Sequence, residues 1–460
     1  MQEFTIGFEG ADGAIIPAPS PPLFQESIGL GFMKVLLIHR SDYAQGGGGG
    51  IAMYRLHTGL RQAGIDSTIL CSVKTTSSPN VMNFPRPTRW RLIEAGLRRV
   101  TQRMGLNDVH AVSAFALKNQ RVFQAADLLN FHGLHGNYFS YLALPSLTQE
   151  KPAVFTLHDM WAFTGHCAVN YDCERWKTGC GRCPYPDAHP AVKRDGTRLE
   201  WKLKKWVYSR SNLTIVTLSR RQTEIARQSL LSHLPIHHIP NGVDTQVFKP
   251  LDPELCRFML GILPNKKVLI AAALNLSQFW KGGDLLIKAL QALPRSLQTQ
   301  LVLILIGNKG SAIAESTDIQ TLDLGYVSND RFKAICYSAA HLFVHPTRAE
   351  SLGLVLQESM ACGTPAVSFD VGGVPDLVRP GLTGYLAQPE NAAQLRDGII
   401  QLLEDEPRRR AMGRECRRIV QQEYSLDLQV KRYIALYRQL LKQTTTQDSV
   451  LGPTNLATIG

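Results

Sequence analysis

The chain predicts an α/β protein of two Rossmann-like, doubly wound domains facing an interdomain cleft. Three observations carry that prediction. Its 460 residues suffice for two or three domains with substantial cores. Short apolar runs alternate with helical patterns along both halves, the grammar of parallel βαβ units. At mid-chain, Ile239-Pro240-Asn241-Gly242-Val243-Asp244, followed by Pro250 and Pro253, has the Pro and Asn-Gly punctuation of a hinge.

Residues 1–32 hold no Lys or Arg, but they hold Glu3, Glu9, Asp12, Glu26 and a Pro-rich patch at 17–22. A secretory signal needs a basic start and a transit peptide is Arg-rich, so this stretch reads as a disordered extension, with Met33 the expected true start. Residues 34–38 (KVLLI) form the first strand, 46–50 a glycine-rich turn, 51–63 a helix and 68–71 a second strand. Strands at 154–157 and 214–217 complete a first, acceptor-side domain at 33–245. The grammar restarts with strands at 267–272, 301–306, 341–344 and 366–369, separated by helices at 284–293, 329–340 and 391–404. These make a second domain, 246–425, followed by a helix over 426–442 returning to the first domain. A Thr-rich tail occupies 443–460. Such sheets bind ligands at the carboxyl ends of their strands.

Composition narrows the class. Lys and Arg number 50 against 38 Asp and Glu, a net charge of +12. The longest apolar runs, such as 301–306, fall far short of the roughly 18 residues of a membrane-spanning helix. Nine Cys is too few for a disulfide scaffold and the odd count argues against full pairing, so a reducing, cytoplasmic compartment is expected. The positive excess is concentrated. Residues 86–103 carry six Arg against Glu94, and 193–210 carry seven basic residues against Asp195 and Glu200. In the first, Trp90, Ile93, Leu97, Val100 and Met104 recur at helical spacing. Two readings stand: a helix with an inward apolar stripe and a solvated face, or docking on an anionic membrane surface at the inner face of the plasma membrane. No recognised nucleic-acid-binding motif accompanies the charge.

The five glycines at 46–50 allow backbone N–H groups to approach an anion at a helix start. Gly47, Gly49 and Ala52 satisfy a dinucleotide fingerprint, but the acid expected after the second strand is missing, with Ser72 and Lys74 in its place. A phosphate or substrate loop and a flexible spacer remain. The most informative stretch runs from Pro346 to Pro365. Glu350 is expected in a strand-to-helix loop and Glu358 about two turns into a helix beginning near Ser351 or Leu352. That spacing suits one extended ligand touched at two points. The free N–H groups of Ser351, Leu352 and Gly353 would favour an anion such as a diphosphate.

With its flanking Ser351-Leu352-Gly353-Leu354-Val355-Leu356-Gln357-Glu358-Ser359-Met360-Ala361-Cys362-Gly363-Thr364-Pro365, this stretch closely resembles the retaining glycosyltransferases of GT-B type, family 4, with their E-x7-E motif. The early glycine loop (48–50), the hinge motif (239–244), Trp280-Lys281-Gly282-Gly283, Gly325-Tyr326-Val327 and Gly372-Gly373 fall in the family's order. The resemblance covers about 34–440. It implies a nucleoside-diphosphate sugar donor and a glycan or lipid-linked acceptor of the polysaccharide-biosynthesis type; a soluble synthase acting on a small metabolite is the alternative. By the same resemblance Glu358 holds the nucleotide ribose, Glu350 contacts the donor sugar, and Lys281 with the helix start neutralises the leaving diphosphate. Gly49, Gly50 and Val327 join the donor site, and His158 lies near donor sugar and acceptor. The family's Arg before the Lys is absent here; Asn275 is expected to replace it with a neutral hydrogen bond.

His132 and His135 follow another apolar run toward the cleft, though a lone His is more often structural. Cys167, Cys173, Cys180 and Cys183 lie within 17 residues. Their Cys-x2-Cys end suits structural zinc, with disulfides or plain reduced thiols as the other readings. No cofactor is required for the expected transfer. No Asp-x-Asp occurs in the chain.

Overall fold

The structure is a computed structural model that describes residues 33–43, 47–84 and 86–450. The expected disordered extension at 1–32 lies outside the described residues, as does the end of the expected tail.

Two all-parallel sheets form the body. The first contains β1 (Lys34–Ser41), β2 (Asp66–Val73), β3 (Val81–Asn83), β4 (Leu128–His132), β5 (Ala153–Thr156), β6 (Leu213–Thr217) and β7 (Ile236–His238), in the order β3-β2-β1-β4-β5-β6-β7. The second contains β8 (Lys267–Asn275), β9 (Leu301–Asn308), β10 (Gln320–Asp323), β11 (Leu342–His345), β12 (Ala366–Phe369) and β13 (Gly384–Ala387), in the order β10-β9-β8-β11-β12-β13. Each sheet reverses direction beside its first strand, between β1 and β4 and between β8 and β11. Those switch points open crevices at the strand carboxyl ends. The inner strands are mostly apolar because helices cover both faces, with a few buried polar residues such as Asn130, His132 and Thr156 among them.

Six of the helices carry the cleft or the basic segments: α1 (Gly47–Gln62), α2 (Thr88–Arg103), α3 (Thr197–Tyr208), α4 (Asp330–Ala339), α5 (Leu354–Ala361) and α6 (Leu426–Val450). The glycine run is not a turn before a helix that starts at Ile51. Its described part, Gly47–Gly50, is the first turn of α1. α6 does not stop at 442 but continues through Val450. It packs on α1 and on the first sheet. Val430 and Tyr433 join the Met33, Leu37 and Met53 cluster. The hydroxyl of Tyr437 accepts from the Asn130 amide at 2.7 Å, and Tyr433 meets the Thr156 hydroxyl at 3.0 Å.

The mid-chain segment is pinned to the start of α6. The Val243 N–H donates to the Tyr424 carbonyl and the Leu426 N–H donates to Val243, 2.9 and 3.0 Å. A β-carbon on Gly242 would lie 2.6 Å from Leu426 Cα, so only glycine permits this crossing. Among the described residues no helix is long and apolar enough to cross a membrane.

The basic segment 193–210 does not form one solvated face. Lys204 is fully buried, donates to the carbonyls of Trp161 (2.8 Å) and Thr164 (3.1 Å), and lies 3.7 Å from the Trp161 ring centre. Its partner Glu200 is buried one turn earlier, and burial pushes that carboxyl up to about 8. The Trp201 indole N–H is spent on the Trp176 carbonyl.

Candidate active site

Both switch points open onto one cleft with two adjoining chambers, of about 520 and 430 Å³. These volumes lie in the range of small-molecule sites. The larger chamber is lined by Gly47–Gly49 from α1, Tyr326 and Val327 after β10, and Gly353 and Glu358 from the α5 region. The smaller is lined by Asn170, Tyr171, Arg221, Gln222, Gly372 and Gly373, among others. His158, Asp159, His189, Trp280, Lys281, Glu350 and Ser351 line both, so they form the shared wall.

Two helix starts meet at the larger chamber. A β-carbon on Gly48 would sit 3.9 Å from Leu354 Cδ1, which puts the first turn of α1 beside that of α5. Their unpaired N–H groups and aligned peptide dipoles favour an anion between them. Gly49 is required for another reason. Its missing β-carbon would lie 3.2 Å from the His158 ring and 3.4 Å from His39 Nε2. The run therefore brings backbone close to two histidines.

The α5 region corrects two expectations. The helix begins at Leu354, not at Ser351 or Leu352, with Gly353 as its cap at φ 105°. Glu358 is consequently just over one turn in. Leu352 turns its side chain into the core, and the Ser351 hydroxyl donates to the His158 carbonyl at 2.6 Å, joining the two domains.

Glu350 accepts from Lys281 Nζ at 2.9 Å and faces His345 Nε2 at 3.6 Å. Burial alone would raise its pKa, but the Lys281 ammonium and His345 hold the carboxyl well below its ordinary range. It is a carboxylate at any physiological pH. Lys281 closes a 3₁₀ turn, and Gly282 behind it stands at φ 68°, where a β-carbon would strike the Pro346 carbonyl and only glycine fits.

Glu358 is not a free carboxylate awaiting a ligand. It is 2% exposed, and Arg55 of α1 reaches across from the first domain to its Oε1 at 2.6 Å. Arg55 also donates to Asp330 at 3.1 Å, Lys333 bridges Asp330 (2.6 Å) and Glu358 (3.5 Å), and the Tyr337 hydroxyl donates to Glu358 Oε2 at 3.2 Å. Two cations and two carboxylates thus cancel in a buried knot over Phe248. Arg55, Asp330 and Lys333 were missed in the sequence. The one available signal was a basic residue inside the apolar stretch Met53-Tyr54-Arg55-Leu56.

Asn275 does not face the cleft. Its carboxamide oxygen accepts from Ser277 N (3.0 Å) and Oγ (2.8 Å), which fixes the loop after β8. Gln278 and Arg40 line the larger chamber instead. Arg348 lines the smaller one, but Asp284 and Glu390 clamp its guanidinium and leave it little for a ligand.

The histidines cluster at the wall. His132 Nδ1 and His158 Nε2 share one hydrogen bond at 2.9 Å, with rings stacked at 5.2 Å. Burial foremost, and then His39, pushes His158 down to about 3, and burial pushes His39 down to about 4. Both rings are neutral near pH 7. His135 behaves oppositely: Asp159, 2.8 Å away, outweighs burial and raises it.

Cys167, Cys173, Cys180 and Cys183 line one small cavity, all as free thiols, with His166 Nε2 3.3 Å from Cys183 Sγ. Among the described residues, no group of three or more His, Cys, Asp or Glu side chains is placed to hold a metal ion. Between Cys167 and Cys173, residues Ala168–Tyr171 wall the smaller chamber, so the loop shapes that side of the cleft.

Residues 46–247 match the family described as Glycosyltransferase Family 4, and residues 261–419 match glycosyl transferases group 1. Among curated relatives, a D-inositol 3-phosphate glycosyltransferase of Catenulispora acidiphila is 34% identical over 191 residues, covering 38% of this chain and 45% of that protein. That match therefore spans less than half of the relative's length. The enzyme of the same name from Mycobacterium marinum is 26% identical over 389 residues, covering 81% of this chain and 77% of its own. Sucrose-phosphate synthase from Thermosynechococcus elongatus superposes with a TM-score of 0.65 at 20% identity, covering 89% of this chain and all of the other. Anabaena HepE in complex with UDP and glucose superposes with 0.61 at 17% identity, covering 88% and 99%. At such identities the structures establish the fold. Together with the two family matches they place this chain among the GT-B glycosyltransferases.

Proposed function

We propose that the protein is a retaining glycosyltransferase that moves a sugar from a nucleoside-diphosphate sugar to a hydroxyl of a lipid-linked or polysaccharide acceptor. The observation that carries this reading is the shared wall. One chamber has the features of a donor site: two helix starts, Lys281 and a buried carboxylate. The other is lined by polar and aromatic groups suited to an acceptor. Glu350, Lys281 and His158 stand where the two meet.

In this reading the diphosphate lies against the starts of α1 and α5 and beside Lys281, with Gly49, Gly50, Ser351, Leu352 and Gly353 offering backbone rather than side chains. The base lies near Tyr326 and Val327. Glu358 takes a ribose hydroxyl on the acceptor capacity its three present donors leave open, since a carboxylate has about four lone-pair sites. The bond from the anomeric carbon to the diphosphate oxygen breaks as the acceptor oxygen bonds to the same face. The acceptor proton passes to the departing phosphate. Negative charge grows on the diphosphate, and preorganised cation and dipoles stabilise it there. Glu350, held ionised, offsets positive charge developing on the sugar. His158, neutral, has a ring nitrogen for a sugar hydroxyl.

A small phosphorylated polyol as acceptor is the second reading, favoured by the names of the curated relatives. The test is thermal shift with UDP, GDP and ADP, followed by turnover with the sugar donor of the nucleotide that stabilises. One nucleotide should raise Tm clearly. Lys281→Ala should lower turnover by roughly a hundredfold or more, in line with removal of a leaving-group stabiliser. No shift with any nucleotide, or near-normal turnover of the variant, overturns the reading.

A further inference from the structure

Helix α2 reverses the usual arrangement of a globular surface helix. Its one buried residue is Glu94. Leu92 is 73% exposed, Val100 54%, Ile93 49% and Leu97 37%, and Met104 at the cap 50%. The inward apolar stripe of an ordinary surface helix is absent; the apolar arc faces out. Contiguous exposed apolar surface beside polar groups marks an interaction site. The helix is fastened by its acid: Glu94 accepts from the Ser113 N–H at 2.8 Å and faces Arg86 at 3.5 Å.

On the neighbouring arc, Arg91, Arg98 and Arg99 line an open cavity of about 370 Å³ with Arg86, Asn137 and Glu94, whose carboxylate is turned to Ser113 and Arg86. Among the described residues, no ion pair or side-chain hydrogen bond engages those three guanidinium groups. His110 lines the same cavity, is 5% exposed, and has its Nδ1 without a partner. Unspent guanidinium forks beside an unsatisfied imidazole form a site for a phosphate ester, which accepts several charge-assisted hydrogen bonds at once.

We propose that this cavity binds the headgroup phosphate of an anionic phospholipid, while the Leu92, Ile93, Leu97 and Val100 arc of α2 enters the acyl boundary of the bilayer. The apolar arc decides between sources, because a free phosphate gives those side chains nothing to bury against. Charge complementarity agrees, with six Arg against one Glu over 86–103. The site connects to the cleft. Arg86 donates to the carbonyls of Asn137 (3.0 Å) and Tyr138 (2.8 Å), and Gly133 and His135 of the same loop line the larger chamber. Docking through α2 would hold the cleft at a lipid surface. This deepens the proposed transferase reading by naming where its acceptor is met, but the docking is testable without donor or acceptor.

The test is flotation of the full chain with vesicles of phosphatidylcholine alone and of phosphatidylcholine with phosphatidylglycerol, at low and high salt. Expected is binding to the anionic vesicles only, weakened by salt. Arg98→Glu with Arg99→Glu should weaken it by roughly a hundredfold, and Ile93→Ser with Leu97→Ser by roughly tenfold. All four positions are exposed, so Tm should hold and mark the variants as folded. Absence of binding at low salt, or variants that bind like the parent, overturns the proposal. So does stabilisation by inorganic phosphate without vesicle binding, which would make the cavity a soluble-phosphate site. A nucleotide shift that survives failed flotation leaves the transferase reading standing, and flotation without any nucleotide shift does the reverse.

Discussion

His158 shows how far a single side chain's chemistry depends on its surroundings. Its place after a strand was legible from the Leu157-His158 boundary, and so was its direction toward the cleft. Its protonation was not, because burial and the companion rings of His39 and His132 come from other strands. The same holds for His57, His110 and His341, each pushed down, first by burial, to about 4, 4 and 3. An unfolded chain titrates these groups near about 6.5. Between those values the unfolded state binds protons that the native state refuses, so their contribution to stability is complete above about pH 6.5 and declines as pH falls toward 4. His135 works the other way, because its raised pKa adds stability that is lost as pH rises through it. Glu200, raised to about 8 by burial, also opposes the histidines. Because the depressed histidines outnumber these two groups, Tm should drop from about pH 6.5 to 4, and equal melting at pH 5 and pH 7.5 would contradict the assignment. His158 should also add no limb to a pH–rate profile in the neutral range.

The start of α1 makes the corresponding case for an element. Five glycines in a row read as loop, since each costs a helix about 1 kcal/mol relative to Ala. The fold places Gly47–Gly50 in helix regardless, and at Gly49 and Gly50 the space for a side chain is taken by His158, His39 and the Tyr43 carbonyl. Substitution should therefore act differently from one glycine to the next. A β-carbon on Gly50 would lie 2.5 Å from the Tyr43 carbonyl, whereas one on Gly48 meets only Leu354 Cδ1 at ordinary contact. Gly50→Ala should cost about 1–3 kcal/mol through overpacking. Gly48→Ala should be neutral or stabilise by up to about 1 kcal/mol. Chemical denaturation of both variants decides, since a flexible spacer would treat the two positions alike. α2 is the complementary example. Its apolar periodicity was plain in the sequence, but periodicity states only that one face differs from the other, not which faces the protein.

Across the whole molecule, the knot of Arg55, Asp330, Lys333 and Glu358 ties the two domains through residues up to 303 positions apart. Removing one member of a buried ion network strands its partners, typically at about 3–5 kcal/mol. Arg55→Ala should destabilise by that order in chaotrope melts, with Arg55→Lys recovering part of it. Parent-like melting of Arg55→Ala would show that the domains are held elsewhere, through Ser351 and α6.

Sequence by itself determined the α/β class, eight of the strands and the carboxylates of the E-x7-E stretch. These are properties of local periodicity, turn chemistry and spacing, all carried by neighbours along the chain. Only the tertiary structure decided that Asn275 caps a loop, that Glu358 is shared with a cation from the other domain, that Lys204 is core and that the apolar arc of α2 looks outward. Each of these depends on which distant side chain desolvates or neutralises a group. Burial and Coulomb energy act through space, so no one-dimensional pattern encodes them.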